Sequence, residues 1–331
     1  VKKNSYKNIL ILSIIALILM SSTSLIFGQQ KISISSIIRV ILGQENDGID
    51  YVIIKKIRLP RIIASLLVGA ALSISGAVLQ GIFNNPLASP YLLGISNGAG
   101  FAASAAIIMG INGILFQIIS FSGGILAAFL ALIFSYFFKN KGVISIIIGG
   151  ILIGNFFAAL TMYVKLVADP LAKLPSIVYW LMGSFIGVTE KTIIFPLILI
   201  LLSILLLLLL SWKLTILSYG DLHARTLGEN PVILKFIALI LTTLATSSAI
   251  SMSGIIGWIG VIIPQLARIS VGADFRRLMP LTILWGAGFT CLIDSIARSF
   301  LSYELPVGLI SSIIGLVFSV IILSKKTEKI L

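Results

Sequence analysis

RLPRIIASLLVGAALSISGAVLQGIFNNPLASPYLLGISNGAG, from Arg58 to Gly100, is the stretch on which the reading of this chain turns. It opens with two arginines set around a proline. About twenty residues without a charge follow, and the run then breaks at Asn84-Asn85-Pro86 and again at Pro90. Gly69, Ala70, Ala71, Ser73, Ser75, Gly76 and Ala77 stud the apolar part. A span that only faces lipid needs neither small residues nor a break. Small residues on a membrane helix let a neighbour's backbone come close. Non-helical backbone at membrane depth is tolerated only where protein or a water-filled cavity covers it. The segment therefore reads as part of a packed, multi-helix, solute-handling assembly.

The surrounding composition agrees. The 331 residues are 58% hydrophobic and 11% charged, with mean hydropathy +1.15. That charge content is less than half of the roughly 25% usual in soluble domains, so water is not the main solvent. Ten apolar runs fit: 9–27, 61–81, 92–110, 115–138, 143–164, 192–212, 235–251, 254–272, 280–299 and 306–324. Each is near the length of a membrane helix. The expected fold is all-α and polytopic, one transmembrane domain over residues 1–331 with a cytoplasmic hairpin near 214–234. The first run follows Lys2, Lys3 and Lys7 but is longer than a signal-peptide core and lacks a small-x-small cleavage site, so it is taken as a retained span.

A net charge of +13 would suggest nucleic acid in a soluble protein. Here the cations gather mostly at the ends of apolar runs, where they orient the chain instead. An even number of spans puts both termini on one side. Lys2, Lys3 and Lys7 with Lys325, Lys326 and Lys329 make that side the cytoplasm of a cell membrane. Lys139-Asn140-Lys141, Lys213 to Lys235 and Arg268 to Arg277 then also face inward, and all three are basic.

One connection disobeys. Gly28 to Pro60 should lie outside, yet it ends in Lys55, Lys56 and Arg58, with Arg61 just beyond. Snorkelling to lipid phosphates is one explanation. An acidic partner on the outer face explains four clustered cations better. Leu166 to Gly187 is too polar and broken to span, and suits a short amphipathic helix at the outer surface. Tyr219 to Pro231 is the most polar inner stretch. It suits two short helical pieces separated by Gly228 and stopped by Pro231. Leu217, Leu222, Ala224 and Leu227 give it an apolar side that another subunit could cover. Asp294 and Arg298 form an i, i+4 pair, expected to be solvated near the outer end. Ser75 to Pro86 and Ser253 to Pro264 share one spacing, weak support for an internal repeat of the kind transporters carry.

Several chemistries are missing. No GxxxxGK[ST] loop, HExxH or GxSxG occurs, and the spans hold almost no carboxylates of the kind ion-coupled carriers use. The single cysteine, Cys291, reads as a packing residue and the single histidine, His223, as a solvated one. The chain is thus expected to be no enzyme, to have no catalytic residue and to bind no metal or cofactor. Transport powered by another subunit fits best. A secondary transporter coupled to ions through Asp294 is the alternative, and a membrane enzyme a distant third.

At this point the motifs, taken in order, resemble a known family. They are Arg58-Leu59-Pro60-Arg61; Ser75-Gly76 with Gln80; Asn85-Pro86-Leu87-Ala88 with Pro90; Leu93-Gly94 with Gly98-Ala99; Trp180 with Gly183-Ser184; Gly220-Asp221 with Ala224 and Leu227-Gly228; and Glu304-Leu305-Pro306 with Gly308 and Gly315. The chain resembles the FecCD-type permeases of binding-protein-dependent ABC importers for iron–siderophores, haem and cobalamin. The resemblance implies the fold of the cobalamin-importer permeases, with ten helices per subunit, a homodimer or close heterodimer and a pathway on the dimer axis. It implies two cytoplasmic ATPases, which hold the ATP and Mg, and an extracytoplasmic substrate-binding protein. It assigns Arg58, Arg61 and Arg298 to binding-protein docking, and Gly220, Asp221, Ala224, Leu227 and Gly228 to ATPase coupling. Asn85 and Pro86 fall on the translocation path, and the cytoplasmic gate near Gly142, Val143 and Ile144. The sequence departs from the family at Gln265, where many relatives have histidine, and at the gate, where small hydroxyl residues are frequent.

Overall fold

A computed structural model describes residues 3–30, 32–138, 143–299 and 303–327. In lipid every backbone N–H and C=O must find its partner within the chain, and the apolar runs do so as helices. The order is α1 (Lys3–Ile26), α2 (Ile34–Ile41) and α3 (Ile49–Tyr51), which passes through a π-helical stretch (Val52–Arg58) into α4 (Leu59–Ile82). A 3-10 turn (Pro90–Leu93) leads to α5 (Ile95–Ile108), α6 (Gly113–Tyr136), α7 (Val143–Val167) and α8 (Lys173–Leu181). Then come α9 (Glu190–Leu209), α10 (Ser211–Ser218), α11 (Asp221–Thr226), α12 (Pro231–Ser253), α13 (Ile259–Val271), α14 (Phe275–Ser299) and α15 (Val307–Thr327).

Among the described residues seven helices are long and apolar enough to cross a membrane, and three apolar helices are shorter. Each of the ten expected runs coincides with one of these. The short ones matter most. With 14 and 13 residues, α5 and α13 rise only ~20 Å at 1.5 Å per residue, short of a ~30 Å hydrocarbon core. Irregular backbone supplies the rest: residues 83–94 before α5 and residues 254–258 before α13. The second break and residues 88–94 of the first are buried or half-buried, so protein covers their irregular backbone, whereas Asn84, Pro86 and Leu87 are exposed.

The centre of the bundle is α4, buried along almost its whole length between α12, α13 and α14. The small residues of the opening stretch explain how. A Cβ on Gly76 would stand 1.8 Å from the carbonyl oxygen of Gly260, and one on Gly69 would stand 2.1 Å from that of Gly286. Only hydrogen fits at either crossing. Gln80 adds a polar tie, its Nε2 donating to the carbonyls of Gly260 (3.3 Å) and Val261 (3.1 Å). By contrast α1 lies on the outside against α14 and turns Leu12, Ile15 and Ile18 to the surroundings.

The connection from Gly28 to Pro60 is largely helical, since α2 and the α3–α4 helix occupy much of it, and Arg58 and Arg61 sit on a helix. Two expectations are corrected. The two short inner helices are α10 and α11, and they part at Gly220 (φ 112°), not at Gly228 (φ 80°). The apolar run after residue 192 ends its helix at Leu209 and starts a second one at Ser211.

Candidate transport pathway and coupling surfaces

The N-terminal end of α4 and the C-terminal end of α14 carry a buried ionic cluster. Arg61 Nε donates to Asp294 Oδ1 (2.8 Å) and Arg61 Nη1 to Glu304 Oε2 (2.6 Å). Arg298 Nε stands 3.2 Å from Asp294 Oδ2, and its Nη2 donates to the Ser24 hydroxyl (2.6 Å) and carbonyl (3.0 Å) of α1. Arg58 donates to the carbonyls of Leu25, Ile26 and Gln30, closing the end of α1. Arg58, Arg61 and Arg298, which the family resemblance assigns to docking, are only 3%, 3% and 5% exposed. The expected solvation of the Asp294–Arg298 pair is corrected, since Asp294 is fully buried. The physical cause is pairing: charges leave water only when partners and hydrogen bonds replace it. The cations that do face outward there are Lys55 and Lys56.

Between this end and the other lies a cavity of about 880 Å³. Its walls come from the turn before α5 (Ser89, Tyr91), the end of α8 (Met182), the break after α12 (Trp258) and α15 (Leu309, Ser312), and none of its lining side chains is charged. The walls meet backbone to backbone. Ser184 N–H donates to the carbonyl of Ser253 (2.8 Å) and Val307 N–H to that of Gly183 (2.9 Å). Gly254 (φ 67°) leaves no room for a side chain, since a Cβ would lie 2.2 Å from the Trp180 carbonyl oxygen. The Tyr91 hydroxyl donates to the Ile256 carbonyl and pins the break. Trp258 adopts φ 69°, a region an aromatic residue rarely enters. Its side chain fills the space beside Gly315, where a Cβ would stand 2.4 Å away.

Asn85 and Pro86 lie just before this turn. Asn85 Oδ1 accepts from Leu87 N–H (2.9 Å), and the Pro86 carbonyl accepts from Gln265 Nε2 (2.7 Å). Gln265, the departure after Pro264, therefore ties α13 to the break. Of the expected gate, Gly142 lies outside the described residues, Val143 opens α7, and Ile144 is exposed on it.

The far end carries α10 and α11. Thr215 Oγ1 accepts from Phe275 N–H (3.0 Å) and meets Asp274 Oδ1 (3.3 Å), so α10 is fastened to the start of α14. Burial pushes the Asp274 carboxyl up, but hydrogen bonds from Arg276 and Thr215 outweigh it and hold the group below its ordinary range. Ala224 is buried against the bundle, while Tyr219, Leu222 and Leu227 are exposed. Gly220 and Gly228 supply the positive φ at the two turns. Asp221 pairs with Lys235 of α12 (2.6 Å) and Glu229 with Lys213 of α10 (3.0 Å), clamping the hairpin at both ends. The expected apolar side is thus split: Leu217 and Ala224 look inward, Leu222 and Leu227 outward.

The profile of the FecCD transport family matches residues 14–325. The chain belongs to the FecCD transport family. It is 36% identical to the molybdate import system permease protein MolB of Haemophilus influenzae, covering 94% of each chain. It is 37% identical to an iron chelatin transport system permease protein of Helicobacter pylori, over 92% of this chain and 94% of that one. A metal-chelate type ABC transporter solved in an inward-facing conformation superposes with a TM-score of 0.87 at 33% identity, covering 96% of this chain and 99% of that one. The fold expectation holds: this is an all-α, multi-pass ABC importer permease.

Within this FecCD permease the structure brings Arg58, Arg61 and Arg298 together at one end, and Asp221, Ala224 and Leu227 at the other. Asn85 and Pro86 adjoin the cavity wall. Sequence reasoning missed Tyr91, Trp258 and Ser312 as cavity lining, and Glu304 as the partner of Arg61. A signal existed for Glu304, an acid beside a helix-opening proline. For Trp258 there was none, since its role comes from a backbone conformation.

Proposed function

We propose that this chain forms the membrane pathway of an ATP-driven importer whose cargo is a metal chelate, iron–siderophore first, with haem, cobalamin or molybdate as the narrower options. The observation that carries this reading is the uncharged cavity of about 880 Å³. A lining without charge suits a bulky ligand that must be released and not held; affinity then resides in a separate binding protein. The coarse class, an importer permease, is the family's; the cargo is the proposal.

In this reading two copies of the chain face each other across the cavity. Two cytoplasmic ATPases, holding ATP and Mg, seat on the α10–α11 hairpins through Tyr219, Leu222 and Leu227. A binding protein docks at the outer end, steered by Lys55 and Lys56 and engaging Arg58, Arg61 and Arg298. Nucleotide-driven movement of the hairpin passes through Thr215 and Asp274 to α14, and from there to α4 by way of the Gly69–Gly286 crossing. Both termini lie in the cytoplasm. This chain itself holds no metal or cofactor and performs no catalysis. The alternative, an ion-coupled carrier working through Asp294, is disfavoured by geometry: that carboxylate is enclosed between two guanidiniums and does not line the cavity.

The experiment is uptake into proteoliposomes holding the permease, its partner ATPase and its binding protein. Ferric siderophore should accumulate only with ATP inside the compartment that meets the hairpin. Accumulation by the permease alone under an ion gradient would overturn the reading.

A further inference from the structure

One member of the outer ionic cluster differs from the rest. The side chains of Arg61 and Asp294 are 4% and 1% exposed, whereas that of Glu304 is 27% exposed. Asp294 belongs to α14 and Arg61 to α4, the rigid centre of the bundle. Glu304 instead sits in the non-helical segment that leads directly into α15, whose Leu309 and Ser312 line the cavity. The Arg61–Glu304 ion pair is therefore an ionic tie between a pathway wall and the scaffold. Its neighbours are single neutral hydrogen bonds: Leu305 N–H to the Ala297 carbonyl (3.2 Å), the Tyr179 hydroxyl to the Glu304 carbonyl (3.4 Å) and Val307 N–H to the Gly183 carbonyl.

The cluster is also short of negative charge. Arg61 and Arg298 meet the carboxylates of Asp294 and Glu304, Arg58 is held by backbone carbonyls, and Arg61 Nη2 is buried without an acceptor. A carboxylate arriving from outside would find a donor already free and a second donor held only by the most exposed member. Removing Glu304 without replacement would leave an even larger uncompensated charge in a dry site, which is costly. Exchange of one carboxylate for another avoids that cost.

We propose that Glu304 is a positioning residue, a displaceable latch. It holds the start of α15 against α4 through Arg61, and an acidic side chain of a docked protein takes its place and frees α15. The trigger rests on the docking reading given above; the tie itself does not. In this scheme docking at the outer end and opening of the cavity are one event, because the group that yields its place is attached to the wall.

The test uses the full chain in lipid nanodiscs with one cysteine introduced at Ser311 of α15, which is fully buried while the tie holds, and a water-soluble maleimide as probe. Cys291 is buried, and the parent chain measures its background. Glu304→Gln keeps the shape and removes the charge; it should speed labelling of Ser311→Cys several-fold, and Glu304→Asp should restore much of the slow rate. A cysteine at the buried Ala245 of α12 serves as the control and should stay unreactive. Unchanged labelling at Ser311→Cys in Glu304→Gln overturns the latch. Equal acceleration at Ala245→Cys also overturns it, since that marks general loosening. A soluble glutamate-rich peptide should speed labelling in the parent and add nothing in Glu304→Gln. If Glu304→Gln frees α15 but neither the peptide nor the chain's own binding protein does, the tie stands, and exchange by an outside acid and docking at Arg61 both fail.

Discussion

Asp294 joins two central helices through one carboxylate. It accepts from Arg61 of α4 and faces Arg298 of its own helix, while Arg298 reaches Ser24 of α1. Removing one partner from a buried ion pair leaves the other uncompensated and costs about 3–5 kcal/mol. Asp294→Asn, which changes charge and hardly changes shape, should therefore lower the thermal midpoint of the detergent-purified protein by many degrees, followed by intrinsic fluorescence. Asp221→Asn should leave it close to the parent, because the Asp221 side chain is half exposed and pairs reached by solvent contribute about 0–1 kcal/mol. The i, i+4 spacing of Asp294 and Arg298 was readable along the chain. Arg61 and Glu304 were visible only as separate charges, since the contacts joining them to their partners span 233 and 243 residues. Burial was invisible for the same reason. Whether an arginine beside a proline faces water or a carboxylate depends on what the rest of the chain brings to it.

Among the helices, those with uniform apolar length were legible and those with interruptions only in part. The positions of α6, α7 and α9 follow from runs of hydrophobic residues that admit no other solution in lipid. The breaks at residues 83–94 and 254–258 were signalled by Asn-Asn-Pro and by Ser-Gly, but their role as two facing walls of one cavity was not. The hairpin shows the same division. Its existence follows from a polar, glycine-punctuated stretch, yet the division falls at Gly220 because α10 continues the preceding apolar run for two more turns. Tyr219, Leu222 and Leu227 are exposed together on the hairpin, and grouped apolar residues of this kind mark interaction sites. Leu222→Glu with Leu227→Glu should leave the permease folded, as both side chains are exposed, and should release the ATPase during co-purification in detergent. Retention of the ATPase at parent stoichiometry would mean that the contact lies elsewhere.

For the molecule as a whole, the ionic cluster and the hairpin lie at opposite ends of α14, Asp294 near its last turn and Phe275 at its first. Single cysteines at Ser5 and Arg225 should react with an impermeant reagent only from the cytoplasmic side, and cysteines at Lys55 and Lys191 only from the outside. All four positions are exposed. Labelling of Ser5 and Lys55 from one side would overturn the orientation. Composition and the ten apolar runs settled the class of protein and its membrane setting, because a bilayer leaves a greasy chain no option but helices. The ordered glycine and proline motifs pointed to the family. Which helices cross at Gly69 and Gly76, which carboxylate neutralises which arginine, and which backbone breaks enclose the cavity depended on assembly in three dimensions. The reason is that close approach and charge burial are properties of pairs, and the members of these pairs are far apart along the chain.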